Sequence, residues 1–157
     1  MKRSKKITAM LIVAMVMTAT MVVMVYAADY ASKPAWNTGT GRYTQLYTLS
    51  TGVNWSYTTD VTGAEDYVVT KMYPERDALV QCTANGLTAF PSYYQVRRTN
   101  GDGELLASET AYTGTGIIYI SYSNPVSPGT GTCLGIRNDP RYSTTVTNEG
   151  SWSPDRY

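Results

Sequence analysis

Histidine is absent from the chain, phenylalanine occurs once, as Phe90, and cysteine twice, as Cys82 and Cys133. Without histidine there can be no Ser-His-Asp or Cys-His nucleophile system and no imidazole to ligate zinc. Lysine is nearly as scarce past residue 27, where only Lys33 and Lys71 could serve a serine-lysine pair, and neither stands in a motif. Helical periodicity is missing as well. Pro74-Glu75-Arg76-Asp77 has room for a single helical turn, but nothing after it continues a 3.6-residue apolar period. Asn100, Asp102 and Glu104 alternate like calcium ligands, yet Leu105 stands where such a loop needs glycine and Ala111 where it needs a bidentate glutamate. That run reads as a hairpin turn. No metal and no cofactor is expected.

What is present divides near residue 27. Lys2-Arg3-Ser4-Lys5-Lys6 precedes an uncharged run of 19 residues from Ile7 to Val25, and Val25-Tyr26-Ala27 supplies short residues at the −3 and −1 positions of a cleavage site. Residues 1–27 therefore read as a signal peptide, with an uncleaved membrane-anchoring helix as the alternative, since a run of that length can cross a bilayer. Either way the rest of the chain is exported, to a secreted or extracellular location, and with cleavage it keeps no membrane contact. All four basic residues of the N-terminus are removed with the signal, so the body from Ala28 carries a formal charge of −3. An acidic body argues against nucleic acid as a partner and against a cationic membrane-lytic peptide.

Residues 28–41, with Lys33-Pro34 and Thr38-Gly39-Thr40-Gly41, read as an extended leader. From residue 42 to 157 short alternating segments follow one another. Tyr43, Gln45, Tyr47 and Leu49 share one side of a strand; Val53, Trp55 and Tyr57 share one side of the next. Asp66 to Tyr73 is rich in β-branched and aromatic residues, and Ala78, Val80, Cys82 and Ala84 alternate with Leu79, Gln81 and Thr83. Tyr94 and Val96 oppose Tyr93, Gln95 and Arg97, and Asn100-Gly101-Asp102-Gly103 turns that strand into Glu104 to Glu109. Ile117 to Tyr122 and Thr132 to Arg137 complete the middle of the body, and Tyr142 to Thr147 reads as an edge strand. Short strands, frequent turns and no helix predict an all-β antiparallel β-sandwich of Ig-like or jelly-roll topology.

Two cysteines in an exported chain predict one disulfide, Cys82 to Cys133, closing a loop of 51 residues. A loop of that size would stabilise the fold by about 4 kcal/mol in the chain-entropy account.

Tyrosine and tryptophan dominate what remains. Thirteen tyrosines past the signal, with Trp36, Trp55 and Trp152, supply rings that suit half-buried sheet positions and can also stack on sugars. Trp36 and Trp152 lie in turn-rich ends, where an exposed ring has little structural reason, and with Trp55 they are the candidate binding residues. Carboxylates that could act as a hydrolytic pair are Asp60, Glu65, Asp66, Asp102, Glu104 and Glu109, whose ordinary role is a solvated surface. The expected function is an exported, non-catalytic binding or structural module whose partner is a polysaccharide or cell-wall component. The alternatives are a carboxylate-dependent glycoside hydrolase and a secreted antimicrobial or toxin-like protein.

Overall fold

The computed structural model describes residues 30–59, 67–99 and 103–156. The signal segment 1–27, the carboxylates Asp60, Glu65, Asp66 and Asp102, and most of the turn at residue 100 lie outside the described residues.

Among the described residues eleven strands follow in chain order: β1 (Tyr30–Ala31), β2 (Ala35–Asn37), β3 (Arg42–Thr51), β4 (Ser56–Tyr57), β5 (Val69–Thr70), β6 (Ala78–Asn85), β7 (Ser92–Arg98), β8 (Leu105–Tyr112), β9 (Gly116–Ile120), β10 (Gly131–Asn138) and β11 (Val146–Ser153). They form two antiparallel sheets with almost no helix among the described residues. The first runs β1-β3-β11-β6-β9, with β2 also on β3; the second runs β4-β10-β7-β8, with β5 also on β10. Of the stretch read as an extended leader, the described part from Tyr30 contributes β1 and β2 to the first sheet and turns at residues 38–41 into β3.

Alternation puts one face of each sheet into a common core. Tyr47 and Leu49 of β3, Val80 and Cys82 of β6, Ile118 and Ile120 of β9 and Trp152 of β11 meet Tyr94 and Val96 of β7, Leu106 and Ala107 of β8, and Leu134 and Ile136 of β10. Each such large apolar side chain stabilises the fold by about 1.5–3 kcal/mol on burial. The hairpin expected after residue 98 is the β7–β8 pair. Along one edge the sheets also touch through an isolated bridge between Ala107 and Tyr122.

Two buried polar clusters tie the sheets at opposite ends of β10 and β11. At one end Asn148 and Asn138 converge on the Thr51 hydroxyl, at 2.7 and 2.8 Å. At the other, Lys71 meets Asp155 at 2.8 Å, both side chains 0% exposed. Polar groups so placed need every bond they make, because water cannot replace a lost partner.

Two expectations are corrected. The last strand is Val146–Ser153, not 142–147, and it lies inside the first sheet between β3 and β6. Gly150 makes that place possible: at the bulge beside it, a β-carbon would fall 2.2 Å from the Gln81 carbonyl oxygen and 3.1 Å from the Cys82 Cα. The disulfide is also absent, and Cys82 and Cys133 are both buried thiols. Cys82 points between the sheets. Cys133 precedes the core residue Leu134, so the two-residue period turns it to the outer face of the second sheet, beside Arg97 across the ladder. With the second sheet between them, the sulfurs cannot approach without unfolding.

Burial pushes the Cys82 thiol up, which keeps it protonated and unreactive at neutral pH. We predict that a thiol alkylator labels neither cysteine rapidly in the native protein and both after denaturation. Reductant should leave the melting temperature unchanged. Differential alkylation with mass spectrometry measures the first and a thermal melt with and without reductant the second.

Candidate functional site

With Tyr94 and Val96 turned inward, β7 presents Tyr93, Gln95 and Arg97 on the outside of the second sheet. For the same reason β10 presents Cys133, Gly135 and Arg137 on that side. Register then sets neighbours: Arg137 lies opposite Tyr93, and Gly135 lies between Tyr57 on one flank and Gln95 on the other. The outer face is thus assembled from three strands distant in sequence.

Gly135 decides how flat this face is. A β-carbon at that position would sit 2.6 Å from Tyr57 Cε1 and 3.1 Å from Gln95 Cγ, so its absence lets the Tyr57 ring lie down on the sheet. Gln95 Nε2 donates to the Tyr57 hydroxyl at 3.0 Å and holds the ring there. Trp55, two residues earlier, stacks on Tyr57 with centroids 6.5 Å apart and planes inclined by 25°. The Arg137 guanidinium lies 5.1 Å from the Trp55 ring centre and 4.8 Å from that of Tyr93, a cation between two π faces. Glu109 of β8 meets its charge at 2.9 Å.

A strip of planar groups therefore runs Tyr57, Trp55, Arg137, Tyr93 across the sheet. It continues at the sheet's end. Tyr93 reaches the Asp139 carboxylate at 3.5 Å, Arg141 donates to Asp139 from Nε and Nη2 at 2.8 Å each, and the Arg141 guanidinium lies 5.3 Å from the Phe90 ring centre. Hydrogen bonds and charge from Arg141 hold the Asp139 carboxyl well below the usual carboxylate range. Burial pushes the Tyr57 phenol up, with Arg97 acting in the opposite direction, so its hydroxyl stays protonated at neutral pH. The strip offers half-buried ring faces with polar edges and no activated nucleophile.

The three tryptophans part company. Trp55 lies in the strip. Trp36 on β2 is 44% exposed and packs edge-on against Tyr43 at 5.1 Å, near the start of β3, whereas Trp55 follows the end of that strand. At about 3.3 Å per residue the two are separated by on the order of 25 Å along β3. Trp152 is 1% exposed, and its Nε1 donates to Gln45 Oε1 at 2.8 Å; it is a core residue and not the exposed ring expected from its turn-rich surroundings. Burial of tryptophan beside a polar partner is its usual arrangement in a core.

Tyr93, Gln95 and Arg137 are the members that residue-by-residue reading passes over. The outward side of β7 is visible in its alternation, but nothing local brings Arg137 to Tyr93. Of the carboxylates considered for hydrolysis, the two in the described residues each face an arginine: Glu104 meets Arg98 at 3.1 Å and Glu109 meets Arg137.

We predict that Gly135→Ala lifts the Tyr57 ring and lowers unfolding free energy by about 1–3 kcal/mol, the range for overpacking. Adding Tyr57→Ala should remove most of that loss, which a denaturant-melt double-mutant cycle measures. Compared with protein-family models, with curated proteins and with solved structures, the chain matches none.

Proposed function

We propose that the chain is an exported, non-catalytic jelly-roll β-sandwich that binds a polysaccharide or related cell-wall component on the outer face of its second sheet. The observation that carries this reading is the half-buried strip of Tyr57, Trp55, Arg137 and Tyr93 on the outer side of the second sheet, with Glu109 on Arg137. Apolar ring faces stack on the C–H faces of pyranoses, while phenol, guanidinium and carboxylate groups suit their hydroxyls. A strip along a sheet face fits an extended chain better than a small enclosed ligand.

Strand order supports the jelly-roll part. Setting aside β1, β2 and β5, eight strands remain, paired in chain order first-eighth-third-sixth in one sheet and second-seventh-fourth-fifth in the other. That is the order produced by wrapping a long hairpin around a barrel axis, and it serves lectin-type domains among others. Fold alone does not assign function, so the strip and not the topology bears the weight. The basic, apolar N-terminus and the missing histidine support export and a non-catalytic role.

The test is retention of the purified protein on a panel of insoluble polysaccharides and cell-wall fractions. Retention on at least one, weakened by about tenfold or more in Trp55→Ala and Tyr93→Ala and unchanged in Trp36→Ala, is the expected result; tenfold corresponds to about 1.4 kcal/mol. No retention on any fraction, or retention indifferent to Trp55 and Tyr93, would overturn the reading.

A further inference from the structure

Lys71 and Asp155 are 84 positions apart in the chain and in direct contact in the interior, with Nζ 2.8 Å from Oδ1 and neither side chain exposed. Their surroundings are unusually directed. Nζ also donates to the carbonyls of Arg76 and Pro154, and the Tyr122 ring covers it at 4.4 Å. The carboxylate is gripped on both oxygens by backbone: the Met72 N–H donates to Oδ2 at 2.8 Å and the Tyr73 N–H to Oδ1 at 3.1 Å. A second carboxylate, Asp77, acts on Lys71 through its charge and pairs with Arg156 at 3.2 Å. Asp77, Arg76 and Tyr122 line a surface depression of about 140 Å³ that opens beside this site.

We propose that Lys71 and Asp155 condense into an intramolecular amide, a covalent staple between the second sheet and the tail of the first. An ammonium and a carboxylate contain all the atoms of an amide and a water, so no oxidant, cofactor or activated ester is required. Nζ forms a bond to Cγ of Asp155, the bond from Cγ to Oδ1 breaks, and two of the three ammonium protons leave on that oxygen as water. Oδ2 becomes the amide oxygen and keeps the Met72 N–H, while the remaining proton on Nζ stays within reach of the Pro154 carbonyl.

Several features favour the step. Amide formation in water is opposed by solvation of both ions, and here both are out of water. Burial lowers the Lys71 pKa, with Asp155 opposing, which favours the neutral amine that attacks. Fixed contact replaces a bimolecular encounter, and effective concentrations of about 10⁵ M or more are attained by well-aligned intramolecular pairs. The two backbone N–H groups lie where negative charge would build on the carboxyl oxygens in the tetrahedral intermediate. The depression lined by Arg76, Asp77 and Tyr122 gives the water an exit.

The experiment is intact-mass measurement and tryptic mapping of the folded full chain. The expected result is a species lighter than its sequence mass by one water, with no cleavage after Lys71 and a branched peptide joining Lys71 to Asp155. Lys71→Arg should show the full sequence mass. Asp155→Asn should give the same final mass as the wild type, by loss of ammonia in place of water, which separates a staple from dehydration elsewhere. A wild-type protein of unchanged mass, cleaved normally after Lys71, would overturn the proposal outright.

Discussion

Everything near the C-terminus depends on one buried contact, that of the Lys71 ammonium with the Asp155 carboxylate. Taking two opposite charges out of water costs several kcal/mol per ion, and the attraction between them recovers this only where the remaining bonds are also made. Here they are. Nζ has three oxygen acceptors, both carboxylate oxygens have backbone donors, and the Asp155 carbonyl accepts from Arg42 Nη1 at 3.0 Å and from the Ser153 hydroxyl at 2.9 Å. A pair so fully bonded has a single acceptable position. It fixes where β11 ends, and because β11 lies between β3 and β6, it fixes the middle of the first sheet.

The same constraint accounts for what a body without a disulfide uses in its place. The two thiols lie on opposite faces of the second sheet, one in the core and one outside it, so oxidation has no short route to a bridge. Cross-sheet ties come instead from the Thr51, Asn138 and Asn148 cluster at one end and from Lys71 and Asp155 at the other. Both couple β10 or its neighbour to β11 and leave the outer face of the second sheet uncommitted. On that face Gly135, in place of a larger residue, leaves room for the Tyr57 ring.

Much of this is written in the two-residue rhythm. Tyr47 with Leu49, Val80 with Cys82, and Tyr94 with Val96 are inward as their alternation implies, and Trp55 and Tyr57 share a side as read. Failures have physical causes. Cys133 looks apolar and strand-borne, but its phase relative to Leu134 and Ile136, one residue off, sends it to the other face. β11 reads as turn because Asn148, Glu149, Gly150 and Ser151 are weak strand formers; partners on both sides override that preference, and Gly150 is needed for its close approach to Gln81. Trp152 follows from the same error, since a ring in a presumed tail looks exposed. Arg137 beside Tyr93, and Lys71 beside Asp155, are pairings of distant segments with no local signature at all.

The most direct test of the central contact is native-state hydrogen exchange at one amide, that of Met72. Met72 lies outside the strands, and its N–H donates to Oδ2 of Asp155, the oxygen that stays in place whether the contact is an ion pair or an amide. If Asp155 is locked against Lys71, this amide exchanges as slowly as those of Val80 and Val96 in the core strands, through global unfolding alone. Exchange of the Met72 amide as fast as in the exposed turns would mean that the tail opens independently, and would contradict the account.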